Sequence, residues 1–518
     1  MDTMTAIGRL LLLLLVFVAI PCCRSAEQEN WSKLLVGIED HPKTLDPRYA
    51  TDAYGERISH NLLFSTLVQQ DYDLQIIPDL AERFETPDDT TYVFHLRPDV
   101  FFHDGERMSA EDVRFTFDHL MDPAVKSPFG ARLRGEIESV EVMGPLAVRF
   151  KLKQPVASFL TSSAVMPILP MHVLQRQSDS QVLTTGSGPF KFVSQTSTEI
   201  ELAPNERYYG EAPRIERLVF KVIGDDNTRF LKMRKGELDL LINVVPVDKI
   251  EEVGKPPLSN TYHVVEEPGV SCNYVAFNME SPLFRDVRVR RAVAHGIDVD
   301  EIIAYRLGGH AVRATGLLSP VNPFREADVP VHDHDPDKAR LLLDEAGYPD
   351  PDGNGPAPRL QIELKAANNP QAQSIVRILQ AQLAGIGIQL DIRTYEWGTF
   401  YGDVRSGNFQ MTTMRWVGII DPDFYYDVFH SSRTPPNGSN RGRYADAEVD
   451  RLLEKGRSSP DHADRKAAYG QVQNKLASDL PYIYLWHINN ISVIHNRVIG
   501  YRQHPTGGFQ SFKSVVLK

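Results

Sequence analysis

A helix followed at once by a strand is the pattern that most restricts how this chain can fold. Pro370 starts a helical segment that stops at Gly385, and apolar residues recur along it at helical spacing, at Ile375, Leu379 and Leu383. Directly after it, alternate positions are apolar, which is the period of a half-buried strand: Ile386, Ile388, Leu390 and Ile392. Repeated helix-then-strand units bury their apolar faces by covering sheets with helices, so the pattern predicts an α/β fold.

Capping residues predict further helices along the chain. They are the Ser109–Asp112 capping box, Asp335 followed by Pro336, Asp446 and Asp461. The last of these helices leads into a strand predicted at Tyr482–Trp486. No repeat of 20 to 50 residues is visible, which argues against a solenoid or propeller.

The first residues predict a secretory signal peptide over residues 1–26. Arg9 precedes an unbroken apolar run of eleven residues, Leu10–Ile20, and Pro21 then breaks the run. This run is too short to span a bilayer, which takes ~20 residues. Small residues follow at Ser25 and Ala26, where cleavage is expected. The mature protein is therefore expected to be periplasmic, exported by its signal peptide and soluble.

The cysteines leave a second possibility for the N-terminus. Cys22 and Cys23 suggest lipid attachment, as in bacterial lipoproteins, although Ala19-Ile20-Pro21 resembles a lipobox poorly. After cleavage past Cys23, only Cys272 remains, so no intrachain disulfide can form. The fold must then be stabilised by its core.

Charge and motifs exclude several classes of function. The net charge is −12 and no basic block occurs, so no nucleic-acid partner is expected. The chain has no phosphate-binding loop, no zinc-protease motif and no nucleophile elbow. The absence of such motifs does not exclude an enzyme, but it argues against one, so we expect no enzyme and no cofactor.

Two segments resemble metal sites, but the sequence favours a structural interpretation of both. The Asp350–Asn354 segment resembles the first half of a calcium-binding EF-hand loop, but its twelfth position is Gln361 instead of the bidentate Glu. His332 and His334 offer imidazoles, but Asp335 beside them already caps a helix. No metal site is predicted.

One short stretch combines charge, aromatic rings and turn residues. It contains Arg415, Trp416, Gly418, Asp421 and Asp423. One interpretation is a ligand pocket wall, in which the indole ring covers apolar ligand surface while Arg or Asp fixes ligand charge. The other is a buried tryptophan beside a helix that starts at the Asp-Pro pair. On residue types alone, both remain open.

A series of motifs, in order along nearly the whole mature chain, resembles a known family. The most specific is Thr91-Tyr92-x-Phe94-x-Leu96-Arg97-x-Asp99-Val100, followed by Phe102-His103-Asp104-Gly105. Other motifs are Leu45-Asp46-Pro47, Gly186-Ser-Gly188-Pro-Phe190, Asn205-x-x-Tyr208-Tyr209-Gly210, Gly236-Glu237-Leu238-Asp239, Ala276-Phe277-Asn278, Asp286-Val287-Arg288 and Ala346-Gly347-Tyr348-Pro349. The chain is thereby similar to the family 5 solute-binding proteins of ABC importers, the oligopeptide, dipeptide and nickel binding group.

The resemblance implies a two-lobed periplasmic binding protein of the type II-like class, with three domains and a ligand cleft between the lobes. Domain I is expected to be discontinuous, from residues 27–66, 186–270 and 486–518. Domain II is expected at 67–185 and domain III, the second lobe, at 271–485. Strand crossovers would form the hinge.

The resemblance also implies a function and partners. The chain would capture a peptide by closure of its lobes and, as a monomer, deliver it to the permease subunits of an ABC transporter and their ATPases. Alternatives that remain open are the same role with an opine, sugar or nickel chelate, and a ligand-loaded adaptor for a chemoreceptor. A secreted peptide hydrolase is the competing class, but no catalytic motif supports it.

The ligand is less certain because one family residue is missing. Peptide-binding relatives commonly carry an Asp after the Trp that pairs with the peptide ammonium, and Ile419 occupies that position here. A buried ammonium without its partner costs about 3–5 kcal/mol. Either Asp421 or Asp423 would replace it, or the ligand lacks a free ammonium at this point. Arg415 would bind a ligand carboxylate.

The position of three further residues relative to these motifs suggests a place in the site. Asp52 and Tyr54 follow the Leu-Asp-Pro motif and would contribute to the opposite wall of the cleft. Tyr274 would lie near the hinge. For each of the three, packing is an equally supported interpretation.

The expected site can be tested at Arg415 and Trp416. We expect Arg415→Ala and Trp416→Ala to weaken ligand binding far more than they lower the free energy of unfolding without ligand, since both residues would face the ligand. Calorimetric titration and unliganded thermal unfolding measure the two quantities. A sharp drop in unliganded stability at unchanged affinity would assign the pair to the core.

Overall fold

The computed structural model describes residues 32–176, 183–353 and 355–518, so the predicted signal segment at residues 1–26 lies outside the described residues. The strands are β1 Lys33–Ile38, β2 Val68–Gln70, β3 Ile76–Pro78, β4 Ala81–Asp88, β5 Thr91–Leu96, β6 Ile137–Gly144, β7 Ala147–Leu152, β8 Phe190–Gln195, β9 Glu199–Pro204, β10 Arg217–Val222, β11 Leu240–Ile242, β12 Tyr262–Pro268, β13 Cys272–Phe277, β14 Ala311–Arg313, β15 Leu360–Ala367, β16 Ile388–Tyr395, β17 Met411–Trp416, β18 Tyr482–His495, β19 Val498–Ile499 and β20 Val516–Leu517. Within these ranges no helix is both long and apolar enough to cross a lipid bilayer.

Helices alternate with these strands through most of the chain. The α-helices are α1 Ala53–Ile58, α2 Ala110–Met121, α3 Gly130–Glu136, α4 Phe159–Ser162, α5 Met171–Leu174, α6 Asp226–Arg234, α7 Val247–Val253, α8 Pro282–Arg285, α9 Val287–His295, α10 Val299–Glu301, α11 Pro336–Glu345, α12 Pro370–Ala384, α13 Trp397–Ser406, α14 Phe424–Phe429, α15 Ala447–Ser458 and α16 His462–Asp479. A short π-helical segment, Ser59–Leu63, continues directly from α1. The α/β architecture predicted from the helix–strand pattern is confirmed.

The predicted caps lie where the sequence indicated. Asp335, Asp446 and Asp461 each accept hydrogen bonds from backbone amides of the first turn of α11, α15 and α16, and the backbone amide of Ser109 donates to the side chain of Asp112 at the start of α2. One boundary differs. Ile386 is buried but precedes its strand, because Gly387 turns the chain with a φ of 82° and β16 begins one residue later.

One strand, β18, connects the two halves of the large sheet. The sheet has twelve strands and runs in the order β16-β15-β17-β13-β18-β11-β1-β10-β9-β8, while β12 and β14 also pair with β18. The first part of β18 pairs with β13, through Trp486, and its last part pairs with β11, through Ile494. The strand predicted at Tyr482–Trp486 is therefore confirmed but extends to His495, since successive partner strands, β13, β14, β12 and β11, pair with it along its length.

The apolar core is divided in the same way as the sheet. One large cluster draws its side chains from residues 34–242 and 494–515, and it includes the separate four-stranded sheet β4-β5-β7-β6. Two other clusters draw theirs from residues 272–486. The chain thus builds its core as separate bodies that share β18.

Two of the sequence motifs meet in the first of these bodies at His103. Its Nδ1 accepts a hydrogen bond from the backbone amide of Gly186 (3.2 Å), and its Nε2 lies 3.1 Å from the carbonyl oxygen of Gly188. Both contacts are satisfied only by a neutral ring that carries its proton on Nε2. Burial lowers the pKa of His103 to about 4 from its usual 6.5.

This histidine predicts a loss of stability at mildly acidic pH. Its folded pKa is lower than its unfolded one, so its contribution is complete above pH 6.5 and is lost as the pH falls towards 4. At pH 5 this group alone lowers the free energy of unfolding by about 2 kcal/mol. Urea unfolding of the wild type and of His103→Gln at pH 7 and pH 5 measures the difference. An equal loss in both proteins would contradict the assignment.

Candidate interdomain cleft

Two adjoining cavities form a cleft between residues that are far apart in the sequence. The first has a volume of about 380 Å³ and the second about 520 Å³. We call the side formed by residues 51–79, 129–166, 189–208 and 504–513 the first wall, and the side formed by residues 417–433 and 457 the second wall. Five residues line both cavities: Glu56, His60, Val165, Gly418 and Ile420. The cavities therefore belong to one continuous cleft.

The second wall is positioned by the end of β17. The chain leaves this strand and turns at Gly418, whose φ of 70° lies in the left-handed region that favours glycine. The next amide, of Ile419, donates to the carbonyl oxygen of Val270 at 2.9 Å, which fixes the turn against the segment that joins β12 to β13. Gly418 lines both cavities, as the prediction of a pocket wall at this stretch requires.

Ile419 itself does not face the cleft. Its side chain is 1% exposed and belongs to the apolar cluster that includes Tyr425 and Leu453. The position where peptide-binding relatives commonly carry an acid is therefore a core position here. An ammonium in this cleft must find its partner elsewhere.

Asp421 and Asp423 line the second cavity, but their oxygens already have partners. Asp421 accepts from Arg465 Nη2 (2.7 Å) on its own side and from Thr161 Oγ1 (2.8 Å) on the first wall. Asp423 accepts from Ser158 Oγ at 3.0 Å, also across the cleft. In this arrangement neither carboxylate is free to replace the missing acid. Their predicted contact with a ligand stays a prediction.

Arg415 and Trp416 lie at the end of β17, and neither lines the two cavities. Arg415 is exposed, and its guanidinium makes no hydrogen bond or ion pair with the residues that the structure describes, so it is free to bind an anion. The protein around it lowers the pKa of its guanidinium, and the charge of Glu39 acts in the opposite direction.

Trp416 is part of an aromatic stack behind the second wall. Its ring lies 5.7 Å from that of Tyr274, meets Phe424 edge-on, and carries the guanidinium of Arg441 at 4.1 Å. Such contacts stabilise the fold without ligand. The expectation for Trp416→Ala therefore changes: we now expect unliganded stability to fall by about 1–3 kcal/mol, whereas Arg415→Ala leaves it nearly unchanged.

The three remaining predicted residues occupy structural positions. Tyr274 is 1% exposed, stacks on Tyr482 with parallel rings 4.4 Å apart, and lies on β13 beside β18, near the predicted hinge. The carboxylate of Asp52 caps α1 by accepting from the amide of Gly55. Tyr54 is buried, and burial raises its pKa to about 12. None of the three lines either of the two cavities, and their predicted contact with a ligand stays a prediction.

Among the residues that line both cavities, two have polar side chains that the sequence did not single out, Glu56 and His60. They are four residues apart, on α1 and the π-helical segment that follows it, so they share a face. Helical spacing alone identifies the pair, but only the opposite wall, near Gly418, makes that face part of a cleft. Spacing along the chain does not reveal the position of that second wall.

The segments weighed as metal sites have other partners. The described residues contain no group of three or more His, Cys, Asp or Glu side chains placed to hold a metal ion. Asp350 accepts from the backbone amides of Asp352 and Gly353, as in a hydrogen-bonded loop, and Asn354 lies outside the described residues. The His334 ring lies 3.2 Å from Asp298.

The bonds from Thr161 and Ser158 predict that the walls are held together without ligand. Replacing both donors, in Thr161→Val with Ser158→Ala, leaves two half-buried carboxylates short of a partner. We expect unliganded stability to fall by about 1–3 kcal/mol and the radius of gyration in X-ray scattering to increase. Ser139→Ala, which removes a hydroxyl bound to Glu141 outside the cleft, is the control. An unchanged radius in the double variant would show that these bonds do not hold the walls.

Comparison with known proteins identifies the fold and the family. Over 533 aligned residues the chain is 29% identical to the oligopeptide-binding protein AppA of Bacillus subtilis, covering 97% of this chain and 96% of that protein. It is also 29% identical to the di/tripeptide-binding protein 2 of Pseudomonas aeruginosa, with 98% of each chain covered. The structure of HbpA2 from Haemophilus parasuis matches with a TM-score of 0.84 at 27% identity, covering 94% of this chain and 100% of that one.

These matches settle the class of protein. The structural neighbours confirm the predicted fold, an α/β protein with two lobes of the periplasmic binding protein type. The model of the family described as "Bacterial extracellular solute-binding proteins, family 5 Middle" matches residues 75–437, more than half of the chain. The family consists of solute-binding proteins, which are not enzymes, so the prediction that this chain is not an enzyme is confirmed. This chain belongs to the bacterial extracellular solute-binding proteins of family 5.

Proposed function

We propose that this protein is the extracytoplasmic substrate-binding component of an ABC importer, which captures peptides and delivers them to the membrane permease. The observation that carries the proposal is the cleft, because its two walls come from parts of the chain with separate cores. A solute bound there contacts both walls at once. The peptide-binding names of the relatives from Bacillus subtilis and Pseudomonas aeruginosa support a peptide as the solute.

The proposal includes the domain division and the route of export. Domain I would comprise residues 27–66, 186–270 and 486–518, domain II residues 67–185 and domain III residues 271–485. The separation of the apolar clusters supports the boundaries near residues 270 and 486. Residues 1–26 would export the chain to the periplasm, where it would act as a monomer.

Binding and delivery are linked by lobe closure. A ligand favours the closed form only if it binds that form more tightly than the open one. Contact with both walls provides this difference, since one wall moves away when the cleft opens. The permease would then recognise the closed, loaded form.

Peptides fit this mode of capture better than the alternatives. The main chain of a peptide offers regularly spaced donors and acceptors whatever its side chains are, so one cleft can accept many sequences. Gly418 exposes backbone on the second wall, where such bonds can form. No feature of the cleft specifically favours an opine, a sugar or a nickel chelate.

A thermal-shift screen tests the proposed ligand class. Purified mature protein is heated with dipeptides, tripeptides, longer peptides, sugars and nickel chelates in separate wells. We expect a peptide to raise the melting temperature, because a ligand at one hundred times its Kd adds about 2.7 kcal/mol to stability. Stabilisation by sugars or chelates alone would contradict the peptide proposal while leaving the solute-binding role intact.

A further inference from the structure

Glu56 lies where the two cavities meet, and its carboxylate has no partner among the residues that the structure describes. It lines both cavities, and its side chain is exposed to the cleft. Its carboxylate makes no hydrogen bond or ion pair with any residue that the structure describes. Burial raises the pKa of Glu56, and the charge of the neighbouring Arg57 acts in the opposite direction. The guanidinium of Arg57 itself donates to the carbonyl oxygen of Thr506 (3.5 Å). A carboxylate is therefore available at the centre of the cleft.

His60 presents a hydrogen-bond acceptor at the same place. It also lines both cavities, and its Nε2 is buried without a partner in the described protein. The ring is hydrogen-bonded to the backbone of Pro47. Proline has no N–H, so this bond must run from a ring N–H to the Pro47 carbonyl oxygen, and because Nε2 is unpaired the donor is Nδ1.

The tautomer of His60 follows from that bond. With the proton on Nδ1, a neutral ring carries a lone pair on Nε2, which can only accept. Burial lowers the pKa of His60 to about 4, so the ring is neutral at pH 7. A buried acceptor without a donor is costly, which indicates that a donor from outside the chain completes it.

The facing residues add no competing charge at this point. The other residues that line both cavities are Val165, Gly418 and Ile420, which carry no charged side chain. The nearby acids of the second wall, Asp421 and Asp423, are engaged by Thr161 and Ser158. Among the residues that line both cavities, the charge of Glu56 is thus unopposed; Arg57, which lines the first cavity, acts on it from beside the junction.

We propose that Glu56 and His60 form the subsite that receives a protonated amine of the bound solute, which for a peptide is its α-ammonium group. The inference rests on the proposed function and names the chemistry of its ligand. An ammonium carries positive charge and three N–H donors but no acceptor, so it complements a carboxylate and an imidazole lone pair together. The subsite would take the role that the core residue Ile419 cannot fill.

A bare metal ion fits the same pair poorly. Metal sites built by protein side chains take three or more ligands, and the described residues contain no such group. A neutral amide or hydroxyl would satisfy His60 but leave the charge of Glu56 unpaired. The combination therefore selects a cationic donor.

The test compares a free amine with its acetylated form. Trialanine and N-acetyl-trialanine are titrated calorimetrically into the wild type, Glu56→Gln and His60→Leu, with Glu82→Gln as a control for an exposed carboxylate outside the cleft. We expect Glu56→Gln to weaken trialanine binding at least tenfold, and N-acetylation to weaken wild-type binding by a similar factor. N-acetyl-trialanine should bind the wild type and Glu56→Gln within twofold of each other. His60→Leu should weaken trialanine three- to tenfold.

Folding of the variants is checked by their unliganded thermal unfolding. Glu56 is exposed, so Glu56→Gln should melt with the wild type; Glu56→Asp, which keeps the charge, should restore part of the affinity. If His60→Leu unfolds early, His60→Gln provides a second variant that keeps an acceptor and should bind more tightly than Leu.

The outcomes separate this inference from the proposed function. Equal binding of trialanine and its acetylated form to the wild type would overturn the ammonium subsite but leave peptide capture standing. If no peptide binds, spermidine and glucosamine are titrated instead. An amine that binds the wild type and loses tenfold or more in Glu56→Gln would support the subsite while the peptide proposal fails. Absence of binding by every amine would overturn both.

Discussion

The cleft depends on a single strand, β18, which belongs to both halves of the large sheet. β18 is hydrogen-bonded to β13 in one half of the large sheet and to β11 and β12 in the other. The second connection, between β12 and β13, is packed against it: Gly269 donates to the carbonyl oxygen of Ile488, and a Cβ at Gly269 would lie 2.6 Å from that oxygen. The two halves are thus joined at two closely packed crossovers.

The walls of the cleft differ in how they are supported. The second wall is backed by stacked rings, Trp416 on Tyr274 and Tyr274 on Tyr482, and Tyr482 is itself a residue of β18. This stack connects the turn at Gly418 to the shared strand, so the turn that lines both cavities is supported by rings that line neither cavity. The first wall instead presents side chains, among them Glu56 and His60, from a short helix and its π-helical continuation.

Local signals in the sequence predicted the elements well, and the site less well, for a physical reason. Caps such as Asp335 and Asp461 act on amides within three residues, so sequence spacing identifies them. The length of β18 depends on partners more than two hundred residues away. The family motifs place Ile419 at the position of an ammonium-binding acid and Tyr274 near the hinge, yet both side chains are in the core, since one position along a strand reverses the direction of a side chain. Glu56 became visible only against the opposite wall.

The bonds from Thr161 to Asp421 and from Ser158 to Asp423 affect both the apparent affinity for solute and the competition for the transporter. If part of the protein is already closed before the solute binds, the apparent affinity rises in proportion to that closed fraction. The same closed but unliganded protein would compete with loaded protein for the transporter. The strength of two hydroxyl–carboxylate bonds thus sets a compromise between scavenging dilute solute and avoiding futile docking.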